Sequence, residues 1–417
     1  MTVLIAGAGI GGLTLGLSLH QLGIPFQIYE AVAKVKPLGV GINLQPHAVR
    51  ELFDLGLADD LDAIGLRTEE VGYFSAQGGK IWSELRGEFA GYNWPQYSIH
   101  RGDLQMMLHD RLIERAGRGC VQSGAALLDW SENATGISIN LMDRAVGKPL
   151  GSVSGSVLVG ADGINSAARS NLYPDEGPAH WSGIMMWRGV TVGPKFLTGR
   201  SMAMIGQKSC KFVCYPIKDL DDDTCLINWI ADQEFPPDYD WAQQDWNRQG
   251  QVADILTPYQ DWSFDWLDVP KTIQQARGIW EYPMVDRNPL PKWTHGRMTL
   301  LGDAAHAMYP IGSNGASQGI LDARVLAREM SDKGVGLAAL QSYDDIRRDP
   351  VNKVILANRG DGPDKVLDIV AQKAPNGFDN INDIMSPEEL RQQASGYKAI
   401  AGMDIKALNA SDGLIPT

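Results

Sequence analysis

Cysteine is scarce in this chain of 417 residues, and its pattern excludes the common uses of that residue. The four cysteines form no CxxC pair, and no histidine lies near them at the spacing of a metal site. They are Cys120, Cys210, Cys214 and Cys225. We therefore expect free thiols in a reducing compartment, the cytoplasm, and neither a disulfide framework nor a metal centre.

Positive charge and long hydrophobic runs are also lacking. The 37 basic residues are outnumbered by 50 acidic ones, which leaves a net charge of −13. This balance argues against nucleic acid or an anionic membrane surface as the main partner. Residues 1–20 carry no Asp, Glu, Lys or Arg, but five glycines interrupt them and no basic residue precedes them. We therefore expect neither a signal peptide nor a membrane span there.

Those glycines form the pattern of a dinucleotide-binding motif. An apolar run of the kind that forms a buried strand precedes the sequence GAGIGG, a helical pattern follows, and a second strand ends at Glu30. Gly7 permits the tight turn, Gly9 lets the backbone approach a pyrophosphate, and Gly12 lets the helix pack closely on the strand. Glu30 has the spacing of a carboxylate that binds ribose hydroxyls.

The chain as a whole predicts an α/β protein with an α+β insert. We expect a Rossmann-like cofactor domain, an inserted, mainly antiparallel substrate-binding sheet and a helical C-terminal segment. Further expectations are strands within 71–83 and 94–99 that join the inserted sheet, a β meander at 121–141, and a tryptophan-rich helical piece at 241–266. The predicted domains are 1–70, 99–180 and 281–360 for the cofactor, 71–98 and 181–280 for the substrate, and 361–417 for the tail.

Two later predicted strands also end in turns, and these turns can lie beside the glycine turn at Gly7–Gly12. VGADG ends at Gly163, and LLGDAAH runs from Leu300 to His306. Ligands of open α/β sheets bind at the carboxyl ends of the strands, so three such turns can converge on one extended cofactor. An Asp-Gly turn by itself is more often only a turn.

Together, GxGxxG, DG and GDAAH resemble the single-component FAD-dependent aromatic hydroxylases, which share the para-hydroxybenzoate hydroxylase fold. The likeness covers roughly residues 1–360. The stretches PLGVGINLQP, YSIHRGDLQMML, MMWRGV, YPMVDRNPLP and LLGDAAHAMYPIGSNGASQGILD are most similar to members that act on methylphenazine carboxylate, and next to those that act on salicylate and hydroxynicotinate. The resemblance implies a monooxygenase that uses FAD, O₂ and NADH or NADPH to hydroxylate a planar aromatic or heteroaromatic substrate through a C4a-hydroperoxyflavin. Hydroxylation at a carboxylate-bearing carbon would also release CO₂.

The resemblance also implies roles for individual residues. Glu30 would bind the adenosine ribose, Arg101 would reach the cofactor from the helix after HRGDL, and Asp303 would hold the ribitol. Asp162 and Gly163 would serve both FAD and the visiting NAD(P)H. The full predicted cofactor set is Gly7, Gly9, Gly12, Glu30, Gly41, Arg101, Asp162, Gly163, Asp303, Gly312, Asn314, Gly315 and Ala316.

The segment 312–316 has a physical reason of its own to lie at the flavin. A glycine-rich turn at a helix start directs backbone N–H groups and a positive dipole end at its neighbour. Reduced flavin carries negative charge on one edge of its ring, where this arrangement is stabilising. By family position, Pro310 would wall the reactive face of the flavin. We interpret His306 as part of the supporting turn and not as a catalytic group.

The predicted catalytic residues are Pro310, Tyr215 and Asn43, and the residues that contact the substrate are less clearly marked than those of the cofactor. Tyr215 lies on a predicted strand and offers a hydroxyl that could orient the ring, although a core tyrosine is an equal alternative. Asn43 occupies the loop in which hydroxynicotinate enzymes have a histidine, and an amide cannot act as that base. Arg188 either pairs with a substrate carboxylate or forms a salt bridge at a strand edge. Candidate pocket walls are Met185, Trp187 and Trp229, unless these strand positions point away.

Three functions remain open on the sequence. The first is the aromatic hydroxylase, acting as a monomer or homodimer. The second keeps the fold but performs halogenation or alkene reduction; the segment 262–266 does not supply the WxWxIP stretch of flavin halogenases. The third is a flavin-bound sensor without turnover, because a fold does not fix a function. The intact Pro310 and the loop after it favour the enzyme.

Overall fold

The computed structural model describes residues 1–34, 39–241, 248–360 and 362–415, and the side chains of 394–397 are left undescribed. Part of the stretch PLGVGINLQP and part of the predicted tryptophan-rich piece lie outside these ranges. None of the helices in the described part of the chain combines the length and the apolar character that a membrane span requires.

The strands are short in the N-terminal part and long in the inserted sheet. Up to residue 160 they are β1 Val3–Ala6, β2 Phe26–Glu30, β3 Gly41–Leu44, β4 Gly65–Arg67, β5 Glu70–Phe74, β6 Lys80–Leu85, β7 Tyr97–His100, β8 Val121–Ser123, β9 Ala126–Glu132, β10 Ile137–Asp143, β11 Lys148–Gly155 and β12 Val157–Gly160. After it they are β13 His180–Pro194, β14 Ser201–Gln207, β15 Cys210–Asp219, β16 Thr224–Glu234, β17 Ser263–Phe264, β18 Leu267–Asp268, β19 Ile279–Asp286, β20 Thr294–His295 and β21 Met298–Leu300.

The helices lie mainly at the two ends of the chain. They are α1 Ile10–Gln21, α2 Pro46–Asp54, α3 Ala58–Ile64, α4 Arg101–Ala116, α5 Ala167–Leu172, α6 Val252–Ile255, α7 Val269–Gln274, α8 Asp303–His306, α9 Gly315–Lys333, α10 Leu337–Arg359, α11 Lys365–Lys373, α12 Pro387–Ile400 and α13 Ile405–Ala410. Short 3₁₀ turns occupy Gly87–Ala90, Arg118–Cys120, Thr257–Tyr259, Ile311–Ser313 and Ile381–Asp383.

The first sheet is the Rossmann-like one. Its six strands have the order β20-β21-β12-β1-β2-β8, and all neighbours except β20 and β21 run parallel. The parallel strands β1 and β12 are buried along their whole length, as expected for a sheet covered by helices on both faces. The three predicted turns follow β1, β12 and β21. They therefore meet at the carboxyl ends of these neighbouring parallel strands.

The second large sheet is the predicted insert. Its seven strands have the order β19-β13-β16-β15-β14-β5-β6, and every neighbouring pair except β14 and β5 is antiparallel. Alternate residues of β13 to β16 face opposite sides. One side packs in an aromatic core with Phe212, Trp229 and Tyr259, and the other side faces the cofactor domain. The predicted fold class is confirmed.

Three local predictions need correction. β7 pairs with β3 and β4 in a small sheet of its own and does not join the seven-stranded sheet. β8 extends the parallel sheet, so the meander begins only at Ala126. Within the described residues of 241–266, helix is limited to one four-residue segment and a 3₁₀ turn. Pro258 interrupts any longer helix, and Trp262 instead packs in the aromatic core.

Candidate active site

One cavity of about 320 Å³ lies between the strand ends of the parallel sheet and one face of the seven-stranded sheet. It combines residues from all three predicted cofactor turns with residues of the inserted sheet. The predicted site residues that line it are Gly9, Gly41, Asn43, Arg101, Gly163, Tyr215, Asp303, Pro310, Gly312, Asn314, Gly315 and Ala316. The fold therefore brings together residues that are more than 300 positions apart in the chain.

In the first turn, two glycines are required by close backbone contacts, and a third faces open space. Gly7 has a φ of +108°, and a Cβ on it would lie 2.3 Å from the Ala161 carbonyl oxygen. A Cβ on Gly12 would lie 2.1 Å from the Gly7 carbonyl oxygen. A Cβ on Gly9 would meet nothing within 4 Å. Gly9 thus stands beside open space at the N-terminus of α1, as a pyrophosphate site requires.

Glu30 lies at the end of β2 beside this turn. Its carboxylate accepts hydrogen bonds from the backbone N–H of Ala8 at 2.7 Å and of Val32 at 2.9 Å. The side chain therefore braces the glycine turn from the position where an adenosine ribose is expected. Its contact with a ribose stays a prediction.

The second turn presents its backbone to the cavity. The half-buried Asp162 carboxylate accepts hydrogen bonds from the Ser166 hydroxyl and, at 3.1 Å, from the Ala168 N–H. Burial raises the pKa of Asp162, against the effect of these hydrogen bonds. The residues of this turn that line the cavity are Ala161 and Gly163. Asp162 therefore organises the start of α5, and its predicted service to FAD and NAD(P)H stays a prediction.

The third turn is held by buried charges. His306 Nε2 lies 2.5 Å from Asp322 Oδ2, which also accepts a hydrogen bond from the Gly302 N–H at 3.1 Å. Arg347 Nε donates to the other carboxylate oxygen at 2.7 Å. Burial would raise the pKa of Asp322, but His306 and Arg347 outweigh it and lower the pKa. This geometry agrees with the structural interpretation of His306, and it leaves Asp303 exposed at the cavity.

The loop before α9 presents unsatisfied polar groups. Gly312 and Ser313 have positive φ values of 73° and 51°. Asn314 is 1% exposed, and neither its side-chain oxygen nor its nitrogen has a hydrogen-bond partner. A buried amide without partners is costly unless a ligand satisfies it. The orphaned amide, the N-terminus of α9 and the open space at Gly9 together fit a bound FAD.

Gly41 joins the cofactor side of the cavity to the inserted sheet. Its N–H donates to Asn228 Oδ1 at 2.6 Å, and its carbonyl oxygen accepts from Arg188 Nη2 at 2.8 Å. A Cβ on Gly41 would lie 2.7 Å from Asn228 Cγ and 2.8 Å from the Tyr215 ring. Only glycine allows this close approach. Nearby, Arg101 lines the cavity from the first turn of α4.

The expected pocket walls on the inserted sheet need correction. Met185, Trp187 and Trp229 point into the aromatic core on the opposite face. Because side chains alternate along a strand, their neighbours Met186 and Arg188 line the cavity instead. The apolar wall of the cavity, which was not predicted from the sequence, is rich in methionine. Its methionines are Met186, Met202, Met204, Met284 and Met308. Once Arg188 is assigned to the cavity, the alternation along β13 identifies Met186 as well.

Arg188 and Tyr215, the two polar candidates for substrate contact on the inserted sheet, both line the cavity. Tyr215 is buried, and burial raises its pKa to about 12 despite the opposing effect of Arg188. Arg188 lies on β13, which has β19 and β16 as its neighbours and is therefore not an edge strand of the sheet. It takes part in none of the ion pairs between described residues, and its Nε is buried without a hydrogen-bond partner. The alternative of a strand-edge salt bridge is therefore wrong.

Asn43 lines the cavity but already has partners. Its Oδ1 accepts from the Ser98 hydroxyl at 2.8 Å, and its Nδ2 lies 3.9 Å from Met202 Sδ. These contacts fix the amide at the boundary between β3 and the inserted sheet. The predicted catalytic role of Asn43 stays a prediction.

Three charged residues of the cavity wall were missed. Lys211 Nζ lies 2.5 Å from Asp364 Oδ2 and 3.4 Å from Asp232 Oδ2. Burial alone would lower the pKa of Lys211, but the two carboxylates outweigh it and raise the pKa. Charges within apolar strands were a signal for Lys211 and Asp232. Nothing in the sequence marked Asp364, since the tail carries no motif. Across the described ranges, no group of three or more His, Cys, Asp or Glu side chains is placed to hold a metal ion.

Comparison with known proteins agrees with this geometry. Residues 1–357 match the family described as FAD binding domain. A phenazine 1,6-dicarboxylic acid hydroxylase from Lysobacter antibioticus is 44% identical over 364 residues, covering 86% of this chain and 89% of the relative. A salicylate hydroxylase from Pseudomonas putida is 27% identical over 376 residues, covering 82% and 81% of the two chains.

A solved structure supports the same assignment. Klebsiella pneumoniae HpxO, complexed with FAD and uric acid, has a TM-score of 0.75 and 25% identity, and the match covers 97% of this chain and 95% of that one. The resemblance derived from the motifs is confirmed, including FAD as the cofactor and NAD(P)H as the co-substrate of the class. This chain belongs to the FAD binding domain family, and it is an FAD-dependent aromatic hydroxylase.

Proposed function

We propose that this enzyme hydroxylates a flat, fused-ring aromatic carboxylate of the phenazine type, with Arg188 binding the carboxylate. The observation that carries the proposal is the Arg188 Nε, which is buried without a partner on a side chain that lines the cavity. A guanidinium forms its strongest hydrogen bonds with carboxylates. The name of the 44% identical relative supports a phenazine carboxylate.

The apolar part of the cavity suits such a ring. Methionine side chains from three strands of the inserted sheet, Met186, Met204 and Met284 among them, form its wall. Methionine is flexible and polarisable, so it adapts to a flat ring and makes favourable contacts with aromatic faces. A wall of this kind also keeps water away from the reacting atoms, which limits wasteful release of H₂O₂.

The cofactor side is proposed to work through the three turns. Gly9 leaves room for the pyrophosphate, Asp303 binds the ribitol, and the Asn314 amide pairs with the edge of the flavin ring. When bound, FAD accepts reducing equivalents from NAD(P)H and activates O₂. The N-terminus of α9, which begins at Gly315 beside the cavity, would direct its positive dipole end at this edge and stabilise negative charge there. Pro310 bounds the ring on the substrate side.

Tyr215 is proposed as an orienting group and not as a base. Its hydroxyl is buried beside Arg188, and its raised pKa keeps it protonated at neutral pH. A protonated phenol can donate one hydrogen bond to the substrate or accept one from the guanidinium. Asn43 is proposed to hold its loop against the sheet, since both ends of its amide already have partners.

The test uses a panel of phenazine carboxylates, benzoates and phenols. NADH oxidation and H₂O₂ release are measured together for each compound with the FAD-loaded enzyme. We expect tight coupling with a phenazine carboxylate and rising H₂O₂ with poorly fitting rings. Uniform uncoupling across the panel would show that the proposed ring class is wrong.

The role of Arg188 is tested by pairing each acid with its methyl ester. We expect Arg188→Met to weaken binding of the acid by roughly 10- to 100-fold, as for loss of a charged hydrogen-bonded partner. The ester should bind the variant and the wild-type enzyme alike. Equal loss for acid and ester would contradict a carboxylate contact. Arg188→Lys is the matched control, and it should restore part of the affinity for the acid because it keeps the charge.

Three expectations, the location, the domain boundaries and the oligomeric state, remain proposals. We propose a cytoplasmic location because all four cysteines are free thiols, three of them buried. We also keep the predicted domain boundaries and the choice between monomer and homodimer, which size-exclusion chromatography with light scattering decides. None of the relatives named above is a halogenase or a sensor by name.

A further inference from the structure

The charged residues missed from the sequence occupy one corner of the cavity. Lys211 of β15 and Asp232 of β16 lie directly opposite each other in the antiparallel pairing. Asp364 reaches the same ammonium group from the residue before α11. Helix α11 packs against the cavity face of the inserted sheet through Val366 and Val370. The C-terminal segment therefore supplies one side chain of the cavity wall.

This corner has hydrogen-bonding capacity left over. The Asp232 side chain is 3% exposed, and its Oδ1 has no hydrogen-bond partner; Oδ2 faces Lys211. Asp364 Oδ1 is also buried without a partner. Both residues line the cavity. A carboxylate oxygen only accepts hydrogen bonds, and a buried one without a donor is costly.

The charges decide which ligand group fits here. Burial raises the pKa of Asp232, and the Lys211 ammonium opposes this shift. With both carboxylates ionised, they outnumber the single ammonium of this corner. A substrate carboxylate would be repelled, whereas an O–H or N–H group would satisfy the two oxygens. Arg188 lies opposite Ile230, two residues along β16 from Asp232 and on the same face. On this face of the inserted sheet, the Arg188 guanidinium and the Asp232 hydrogen-bond acceptor thus lie close together.

We propose that Asp232, supported by Lys211 and joined by Asp364, accepts a hydrogen bond from a hydroxyl or amino substituent of the substrate. The substrate is then an aromatic carboxylate that also carries an O–H or N–H donor. This inference rests on the proposed function and adds a specificity-determining group to it. A site built around buried acceptors discriminates strongly against an analogue that lacks the donor, because the acceptors are then left unpaired.

The test compares three ligands on the FAD-loaded enzyme: a hydroxylated phenazine carboxylate, its O-methyl ether and the unsubstituted acid. Binding is followed by the change in the flavin spectrum. The wild-type enzyme should bind the hydroxy acid at least about tenfold more tightly than the ether, as for a hydrogen bond to a charged acceptor. In Asp232→Asn the amide can turn a donor toward the ligand, so the preference should fall to within about threefold.

Two further variants keep the test decisive. Asp364→Asn should lower the same preference by a smaller factor, and it tests the proposal even if Asp232→Asn does not fold. Asp368→Asn is the matched control, because Asp368 lies in α11, one turn after Asp364, but accepts from the Lys208 N–H and does not line the cavity. It should leave the preference unchanged. Flavin content and the melting temperature of each variant verify folding.

The outcomes separate this inference from the proposed function. If acids bind in an Arg188-dependent way but the hydroxyl group brings no preference, the inference is wrong and the proposed function stands. An unchanged preference in both Asp232→Asn and Asp364→Asn would also overturn it. If no phenazine acid binds the wild-type enzyme, both fail together.

Discussion

The imidazole of His306 and the carboxylate of Asp322 form a 2.5 Å hydrogen bond in which neither side chain is exposed to solvent. The same carboxylate binds the Gly302 N–H, and Gly302 immediately precedes the predicted ribitol ligand Asp303. The position of that ligand therefore depends on a buried hydrogen bond between two side chains that do not line the cavity. Asp322 is therefore a positioning residue, and its substitution should change the stability of the protein and its retention of flavin.

We expect Asp322→Asn to lower the free energy of unfolding by about 3 kcal/mol or more, because it leaves Arg347 without its buried counter-charge. Urea unfolding at neutral pH measures this. Asp349→Asn is the control: that carboxylate pairs with Arg348 at the surface and is 67% exposed. Its loss should change stability by less than about 1 kcal/mol. Equal effects of the two substitutions would contradict a structural role for Asp322.

Gly9 and Gly12 should separate cofactor binding from folding. Gly9 has a φ of −75° and open space around it, so Gly9→Ala should leave the stability of the apoprotein within about 0.5 kcal/mol. Its methyl group occupies the proposed pyrophosphate space, so flavin content should fall. Gly12→Ala instead forces a Cβ against the Gly7 carbonyl oxygen and should destabilise the apoprotein by about 1–3 kcal/mol. Normal flavin content in Gly9→Ala would argue against the pyrophosphate assignment.

Asp303→Ala should weaken retention of FAD far more than it alters substrate affinity. The carboxylate is exposed at the cavity, and the proposed ribitol contact is its main role. Glu30→Ala should have a milder effect through the adenosine end, since it also removes the brace on the glycine turn. The ratio of flavin to protein absorbance after purification gives the order of the two variants. Purified Asp303→Ala with normal flavin content would refute the motif assignment.

His47 should make folding sensitive to acid. It is fully buried, neither ring nitrogen has a hydrogen-bond partner, and burial, with Arg347 and Arg50, lowers its pKa to about 3. The unfolded chain therefore binds a proton near pH 6.5 that the folded protein does not bind until about pH 3. Stability is complete above the unfolded pKa and falls with pH below it, by up to about 1.4 kcal/mol per pH unit.

The comparison for this prediction is His47→Met, which cannot titrate. Urea unfolding of both proteins at several values between about pH 7 and pH 5 isolates the contribution of His47 from those of other groups. We expect the wild-type protein to lose stability more steeply than the variant as the pH falls. Parallel slopes would mean that His47 is hydrated or paired in the folded protein.

The cofactor half of this protein was determined largely by its sequence. Gly7 and Gly12 are required by contacts within the strand–turn–helix unit and its neighbouring turn. Turn conformation, helix termini and buried parallel strands arise from residues close together in the chain, so their signals are local. The same holds for the loop before α9. These signals were sufficient to predict a dinucleotide site, and the resemblance to the family added FAD. Of the predicted cofactor residues on that side, Gly9, Gly163 and Asp303 line the cavity, whereas Gly7 and Gly12 lie behind it.

The substrate half was decided by tertiary structure. A strand has two faces, and only the packing of Trp187 and Trp229 into one core turns Arg188 and Met186 toward the cavity. Lys211 and Asp364 are 153 residues apart, and no local pattern relates them. Their pairing exists because α11 folds back onto the inserted sheet. Recognition of the substrate therefore depends on contacts between distant segments, which the linear order of residues does not encode in any short motif.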